Sequence, residues 1–472
     1  MPYSGREILE ATEGTLLRGA ADTVFEAVST DTREPQAGKL FISLKGQRFD
    51  GHSFIAAAVK NGAAGLLIRE GEEGRLGEIT GDVAVISVPD TLSALGAVAR
   101  FWRKKFNIPV AAITGSAGKT TVKEMTACIM GLIKNTLKTE GNFNNLVGLP
   151  LTLLRLRDWH EVAILEMGTN TPGEIARLSR IAVPEVGLIA NIGPAHLEGL
   201  KSVDMVREEK GEIFRNLPKH GIAVVNGDDE AVRTLAGRRQ GKRVTYGLKG
   251  DADVTAEEVA GSQTGMSFIL RIGDNRGKVD MAVAGTHNLM NALAAAATSW
   301  ALGADPVIIR RGLQAFKPIS ARMEILRLKN GAFLIDDTYN ANPVSVREAL
   351  TALRGFRGER NCTVILGDML ELGDRAEELH EEIGGVLAAT GVTTIFLKGE
   401  FSRITAAGAQ KKGIPAERIF FPSTGEEIVD HLLGSLGKGD WVLVKGSRAM
   451  RMEEIVKRIV ETFGLKDERP RE

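Results

Sequence analysis

A chain of 472 residues is longer than one hydrophobic core organises, so roughly two to four domains are expected. Hydrophobic residues at 43% and charged residues at 25% are ordinary for a folded protein, and 60 basic residues cancel 60 acidic ones. That balance argues against nucleic acid or an anionic membrane as a bulk partner, and two distant cysteines in apolar settings, Cys128 and Cys362, argue against a disulfide framework or zinc site.

From Met1 to about Lys105, short strands and helices alternate, with a loop-rich stretch at Ser29–Asp50 and an apolar run at Val83–Val88. The opening MPYSGREILEATEGT has no basic start followed by an apolar core, so secretion is not expected and a cytoplasmic location is. Apolar strands are predicted next at Val110–Thr114, Val162–Glu166, Val186–Ile192 and Ile222–Asn226, with helices between them. Such alternation predicts βαβ units and a parallel sheet buried on both faces. Arg243–Thr286 breaks the pattern with Gly, Thr and Val and an alternating stretch at Ser267–Ile272, which predicts a small antiparallel insert. The alanine-rich Asn288–Leu302, interrupted by Asn291, Thr298 and Ser299, suits a packed core helix better than a membrane span. Pro318 then marks a boundary, and strands recur at Phe333–Ile335, Thr363–Leu366, Thr394–Leu397 and Trp441–Val444. The residues 465–472 read as a frayed charged tail. The expected fold is α/β in three domains. Residues 1–106 are expected to form a small N-terminal α/β domain, 107–317 a P-loop-type parallel sheet with its insert, and 318–472 a Rossmann-like doubly wound domain.

The chemistry begins at Ile108–Val122, IPVAAITGSAGKTTV: a strand, a glycine loop, then a helix opening on Lys-Thr-Thr. Gly115, Gly118, Lys119 and Thr120 form G-x-x-G-K-T, so that Thr114, Gly115, Ser116, Ala117, Gly118, Lys119, Thr120 and Thr121 can wrap a triphosphate. Glycines let successive N–H groups face one anion, and the helix start adds its positive dipole end. Lys119 would neutralise the outer phosphates and the Thr120 hydroxyl would hold Mg²⁺. The loop is two residues shorter than the Walker spacing, since Ile113 stands where that pattern wants glycine. Glu161–Gly168 is an apolar strand ending in Glu166, and Asn191–Glu198 ends another strand in a loop with His196. Both would meet the phosphates at the carboxyl edge of the sheet, where a metal wants oxygen donors.

Taken together, TGSAGKT, EMG, NIGPAHLEGL, the Lys-Gly-Glu-Ile at Lys210–Ile213, and GTHNLMNALAA resemble the Mur ligase family, as do DDTYNANP, LGDMLELG, KGSRAMRME and the N-terminal STDTREPQAGKLFISLKGQRFDGHSF. The shortened loop is the family's own form. The resemblance covers essentially the whole chain. It implies an ATP- and Mg²⁺-dependent ligase that joins D-alanyl-D-alanine to UDP-N-acetylmuramoyl-tripeptide through an acyl phosphate, as the last cytoplasmic step toward the peptidoglycan pentapeptide precursor. A bare carboxylate resists amines, and phosphorylation gives it a leaving group. Two alternatives stand beside this: a sibling ligase adding a single amino acid, and a P-loop phosphotransferase. The sibling's Asp-Asn-Pro-Arg motif does not occur; LGDMLELG stands instead.

The resemblance also assigns residues. Lys119, Glu166, His196 and Lys210 are the catalytic set, and Thr120, Glu166, His196 and a carbamylated Lys210 the metal set. An unmodified ammonium at Lys210 would repel Mg²⁺, which is why the carbamate matters. Asn288, beside His287, matches an adenine-side pair. Arg322 matches an arginine reaching phosphate from the domain junction, and Asp337, Tyr339, Asn340 and Asn342 a motif closing over the nucleotide. Thr139, Asn142, Asn144 and Asn145 should face the sugar substrate or phosphates. Ser29, Thr30, Asp31, Arg33, Gly46, Asp50 and His52 match a uridine-sugar pocket, and Lys445, Ser447 and Arg448 are placed to receive the dipeptide carboxylate. The partners are therefore small molecules acting on a monomer, without nucleic acid or membrane insertion, and the third domain should close about a hinge at 316–322.

Overall fold

The computed structural model describes residues 2–46, 49–77, 81–262 and 265–466. Three sheets carry the architecture. The first runs Thr15–Arg18, Ala84–Val88, Gly65–Arg69, Leu40–Ile42, Val28–Ser29, parallel except for the antiparallel Thr15–Arg18 edge. Helix Thr91–Lys104 follows it, its first turn capped by Asp90, whose carboxylate accepts the Ser93 N–H at 2.7 Å.

The central sheet has nine strands. Its parallel part places Val110–Thr114 between Val162–Glu166 and Val186–Ile189, with Glu166 opposite Ile113 and Ile189 opposite Thr114. That register ends all three strands at one edge. Every residue of Val110–Thr114 and Val162–Glu166 is buried, the pattern of a strand covered on both faces. Burying each large aliphatic side chain contributes about 1.5–3 kcal/mol. The predicted antiparallel insert is present and extends the main sheet. Lys242–Tyr246 pairs parallel to Ile222–Asn226, and Val254–Gly261, Met266–Ile272 and Asn275–Met281 continue the same sheet, the last two joining antiparallel. Ser267–Ile272 alternates as a strand with one covered face does; it lies second from the edge, paired with Val254–Gly261 on its inner side and with the edge strand Asn275–Met281 on its outer side. Helix Thr286–Ala301 packs on the phosphate-loop helix Lys119–Met130, and its run Ala292–Ala297 is buried throughout.

The third sheet has six strands in the order Glu324–Arg327, Phe333–Asp337, Trp441–Lys445, Cys362–Gly367, Thr394–Lys398, Ile419–Phe420, all parallel except the first. Asp337 sits opposite Lys445 at its carboxyl edge. Each predicted strand of this domain is present and one or two residues longer than its apolar run, because the polar residues Asp336, Asp337, Lys398 and Lys445 continue the ladders. The linking segment holds two non-glycine residues at positive φ, Ala321 at 59° and Met323 at 50°. Of the charged tail, Leu465 bridges Leu328, and 467–472 lie outside the described residues.

Candidate active site at the junction of two domains

The glycine loop leaves the edge of the central sheet and turns into helix Lys119–Met130 through Gly118, whose φ of 78° suits glycine and where a β-carbon would collide with the side-chain Oδ1 of Asn291. Because the helix opens at Lys119, the amides of its first turn have no acceptor within it and face outward as an anion site. The loop is braced from behind by Asn191. Its main-chain oxygen accepts the Ser116 N–H at 3.1 Å and its side-chain oxygen the Ala117 N–H at 2.8 Å, while Ser116 Oγ donates to the Gly193 carbonyl at 2.9 Å. Lys119 Nζ donates to the Gly115 carbonyl at 2.8 Å, folded back across its own loop. Burial lowers its pKa, with the nearby Glu166 carboxylate opposing.

Glu166 is the hub beside it. Its Oε2 accepts from Thr120 Oγ1 at 2.7 Å, its Oε1 from Asn144 Nδ2 at 2.8 Å, and its own N–H donates to Thr139 Oγ1 at 3.0 Å. From the third domain, Arg322 Nη2 donates to Thr120 Oγ1 at 2.9 Å while its guanidinium lies 3.9 Å from the Tyr339 ring centre. Asn342 Nδ2 reaches the Ser116 carbonyl at 3.1 Å. Lys445 Nζ, almost wholly buried, is pinned between Asp337 Oδ2 at 2.5 Å and the Asn340 carbonyl at 2.9 Å. Nearby, burial pushes the Glu348 carboxyl up to about 7 and the His287 imidazole down to about 4.

His196 lies at the end of the Asn191 loop with φ 54°, and its Nδ1 meets Glu371 Oε2 at 2.7 Å. Burial lowers the His196 pKa. Lys210, on helix Val203–Arg215, is fully buried and its Nζ has no hydrogen-bond partner. Burial, reinforced by Lys119, drives its pKa well below the ordinary 10.5. A neutral, unpartnered buried amine is the form that adds carbon dioxide to become a carbamate, so this environment fits the expected modification. Among the described residues no three or more His, Cys, Asp or Glu side chains gather as a metal cage. The available donors are instead the Thr120 hydroxyl and Glu166 carboxylate, one hydrogen bond apart. That pairing suits Mg²⁺, which keeps several waters and takes the rest of its shell from phosphates.

One cleft is lined by Ser116 through Thr121, Asn142, Asn144, Asn145, Glu166, His196, Asn288, Arg322, Asp337, Tyr339, Asn340, Asn342 and Lys445. Other candidates fall elsewhere. Thr114 is buried beneath the cleft with its hydroxyl on the Met167 carbonyl at 2.8 Å, and Gly115 lies under Lys119. Thr139 is wholly buried and holds the Glu166 backbone, because a strand-end carboxylate needs its own N–H satisfied. His52 is 2% exposed, with Nδ1 on Asp50 at 2.7 Å and Nε2 accepting the Arg69 N–H at 3.1 Å, so both ring nitrogens are engaged in shaping its loop. Ser29, Thr30, Asp31, Arg33, Gly46 and Asp50 stay on the first domain, away from this cleft. There Asp31 pairs with Arg33, which holds its carboxyl down at about 2. Ser447 is committed inside the third domain, accepting the Leu370 N–H at 2.8 Å, and the exposed Arg448 leans toward Glu453 at 3.4 Å. Sequence reasoning missed Asn191 as a brace, Asn291, Glu348 and Glu371. Asn291 carried a signal, a polar residue three positions after Asn288 on an otherwise apolar helix.

Comparison with known proteins agrees with this layout. The Mur ligase family catalytic domain matches residues 24–103, the Mur ligase middle domain 113–299, and the Mur ligase glutamate ligase domain 321–448. The chain is 36% identical to UDP-N-acetylmuramoyl-tripeptide–D-alanyl-D-alanine ligase of Bacillus subtilis over 458 residues, covering 97% of this chain and 98% of the relative. It is also 36% identical to that ligase of Escherichia coli over 450 residues, covering 93% and 95%. Among solved structures, MurF from Acinetobacter baumannii superposes with a TM-score of 0.87 at 32% identity, covering 98% of this chain and 99% of the other. MurF ligase from Thermotoga maritima in complex with ADP gives 0.81 at 28% identity, covering 93% and 97%. The chain belongs to the Mur ligase family.

Proposed function

We propose that this chain is an ATP-dependent ligase joining D-alanyl-D-alanine to UDP-N-acetylmuramoyl-tripeptide in peptidoglycan synthesis, acting in the cytoplasm as a monomer. The observation that carries the geometry is the meeting of the glycine loop with Arg322, Asp337, Tyr339 and Lys445 of the third domain in one cleft, all from a single chain. The reading takes the domains as 1–106, 107–317 and 318–472, supported by one main sheet in each, and no helix among the described residues is long and apolar enough to cross a membrane.

In this reading the first-turn amides and Lys119 hold the triphosphate, and Arg322 approaches it from the opposite wall. Thr120 and Glu166 would hold Mg²⁺, with His196 and a carbamylated Lys210 beside them, and such an ion would supply positive charge at the phosphates. Both partners of the first step are anions, so Lys119 and Arg322 lower their mutual repulsion as the tripeptide carboxylate attacks the γ-phosphorus. The dipeptide amine then attacks the acyl phosphate carbonyl, and phosphate leaves. The third domain closes the cleft and excludes the water that would hydrolyse the acyl phosphate. Asn144 positions the Glu166 carboxylate, and Ser29, Thr30, Asp31, Arg33, Gly46 and Asp50 receive the uridine sugar, with His52 shaping that loop. Lys445 supplies positive charge on the dipeptide side, where Ser447 and Arg448 support the turn.

ATP-dependent phosphate release, assayed with UDP-muramoyl tripeptide and either D-alanyl-D-alanine or single D- and L-amino acids, tests the assignment. Release with the dipeptide alone is expected. Release with a single amino acid but not the dipeptide would make the chain a sibling ligase.

A further inference from the structure

We propose that Glu371 is a positioning residue that ties docking of the third domain to the orientation of His196. The inference rests on the ligase reading above and concerns how its phosphate site is completed.

Glu371 belongs to the third domain, in the turn that follows strand Cys362–Gly367, whereas His196 belongs to the central one. Three contacts join the two segments. The Glu371 carboxylate meets His196 Nδ1 at 2.7 Å, and the Glu371 carbonyl accepts the Glu198 N–H at 3.0 Å. A β-carbon on Gly373, two residues on, would lie 3.1 Å from the Glu198 Cα, so the two backbones are in close approach. Leu372, between them in sequence, is 2% exposed and packs in one apolar cluster with Leu197, Leu200 and Val206 of the central domain. Helix Val203–Arg215, which this cluster steadies, also carries Lys210.

Both partners of the central contact hold unusual backbones. His196 has φ 54° and Glu371 φ 62°, the left-handed region that only a few per cent of non-glycine residues adopt, histidine more readily than glutamate. Two such residues facing each other across a domain junction persist only where the surroundings over-determine them. The turn bearing Glu371 is fixed by its own domain: Met369 N–H donates to His380 Nε2 at 3.0 Å and Leu370 N–H to Ser447 Oγ at 2.8 Å.

An ionised carboxylate only accepts, so a neutral His196 must place its proton on Nδ1 and keep Nε2 as the lone-pair nitrogen. That tautomer is the one an imidazole needs to serve a metal or a metal-bound water, and a carboxylate behind a ligating histidine is the usual device for holding it. Here the carboxylate arrives from another domain. His196 is therefore set for the phosphate site only when the third domain is seated.

The test measures Mn²⁺ affinity, by electron paramagnetic resonance, in the presence of a non-hydrolysable ATP analogue, for the parent, Glu371→Ala, Glu371→Gln, His196→Ala and the double alanine variant. Glu371→Ala should weaken Mn²⁺ binding roughly ten- to hundredfold, the range for a lost outer partner of a metal-site histidine. Glu371→Gln, whose amide oxygen still accepts from Nδ1, should recover most of it. On the His196→Ala background, Glu371→Ala should have no further effect. Mn²⁺ affinity within twofold of the parent for Glu371→Ala, or additive losses in the double variant, would overturn the proposal. A parent that binds no nucleotide would instead strike at the ligase reading itself.

Discussion

Replacing Lys210 by methionine separates what this residue does in folding from the catalytic part proposed for it. The ammonium has 0% exposure, no hydrogen-bond partner, and Lys119 as a neighbouring like charge. Burying such an ion costs several kcal/mol, and the chain avoids that cost by leaving the amine neutral. Methionine keeps most of the stem's volume and brings no charge, and volume-conserving swaps change stability by less than about 1.5 kcal/mol. The pH dependence has a definite sign. The native pKa lies below the unfolded value of 10.5, so between the two the unfolded chain binds a proton that the native one does not, and parent stability rises with pH. The methionine variant lacks that slope. In carbon dioxide-free buffer its stability relative to the parent should therefore be greater at pH 7 than at pH 9.5, and the difference should vanish above 10.5. Ligase turnover, by contrast, should fall by about two orders of magnitude or more, the scale of losing one preorganised electrostatic group. Urea denaturation at the two pH values, alongside turnover, measures both. A loss of about 3–5 kcal/mol at pH 7 would refute the reasoning, because that is what stranding the partner of a buried ion pair costs.

Other expectations follow from single positions. Gly118→Ala forces a positive-φ residue into contact with Asn291, so nucleotide-induced thermal stabilisation should disappear while the fold loses only about 1–3 kcal/mol; scanning fluorimetry with and without ATP reads both. Glu348, held at about 7, binds a proton in the native state that the unfolded chain releases above its ordinary 4.5, so it lowers stability as pH rises through that window. Glu348→Gln should accordingly match the parent at pH 4 and exceed it at pH 8 in denaturant melts, and a parent advantage at pH 8 would contradict this. Nucleotide with tripeptide substrate should shift small-angle scattering toward a more compact particle through rotation about 316–322, where Ala321, and just beyond it Met323, already hold positive φ; identical curves would count against a moving domain.

What was legible in the sequence was local. The strands bearing Thr114 and Glu166 coincide with their apolar runs residue for residue, because buried parallel strands need unbroken apolar stretches bounded by polar ends. The glycine loop was legible because one short stretch carries glycine, lysine and threonine for three distinct reasons. The edge of the central sheet was less so: a hairpin's alternation looks the same whether it forms its own module or extends another sheet. The contact that Glu371 makes across domains left no trace. Glu371 and His196 are 175 positions apart, and no periodicity links a turn in one domain to a loop in another. Thr139, His52 and Ser447 show the converse, since hydroxyls and imidazoles in a motif also serve backbone groups that a folded loop must satisfy.

The central claim is that this cleft moves the γ-phosphoryl group of ATP onto a peptide carboxylate before the amine arrives. UDP-muramoyl tripeptide labelled with oxygen-18 in its terminal carboxylate tests it directly, by mass analysis of the phosphate released with D-alanyl-D-alanine. One labelled oxygen per phosphate in each turnover is predicted, whereas unlabelled phosphate accompanying amide formation would contradict the account.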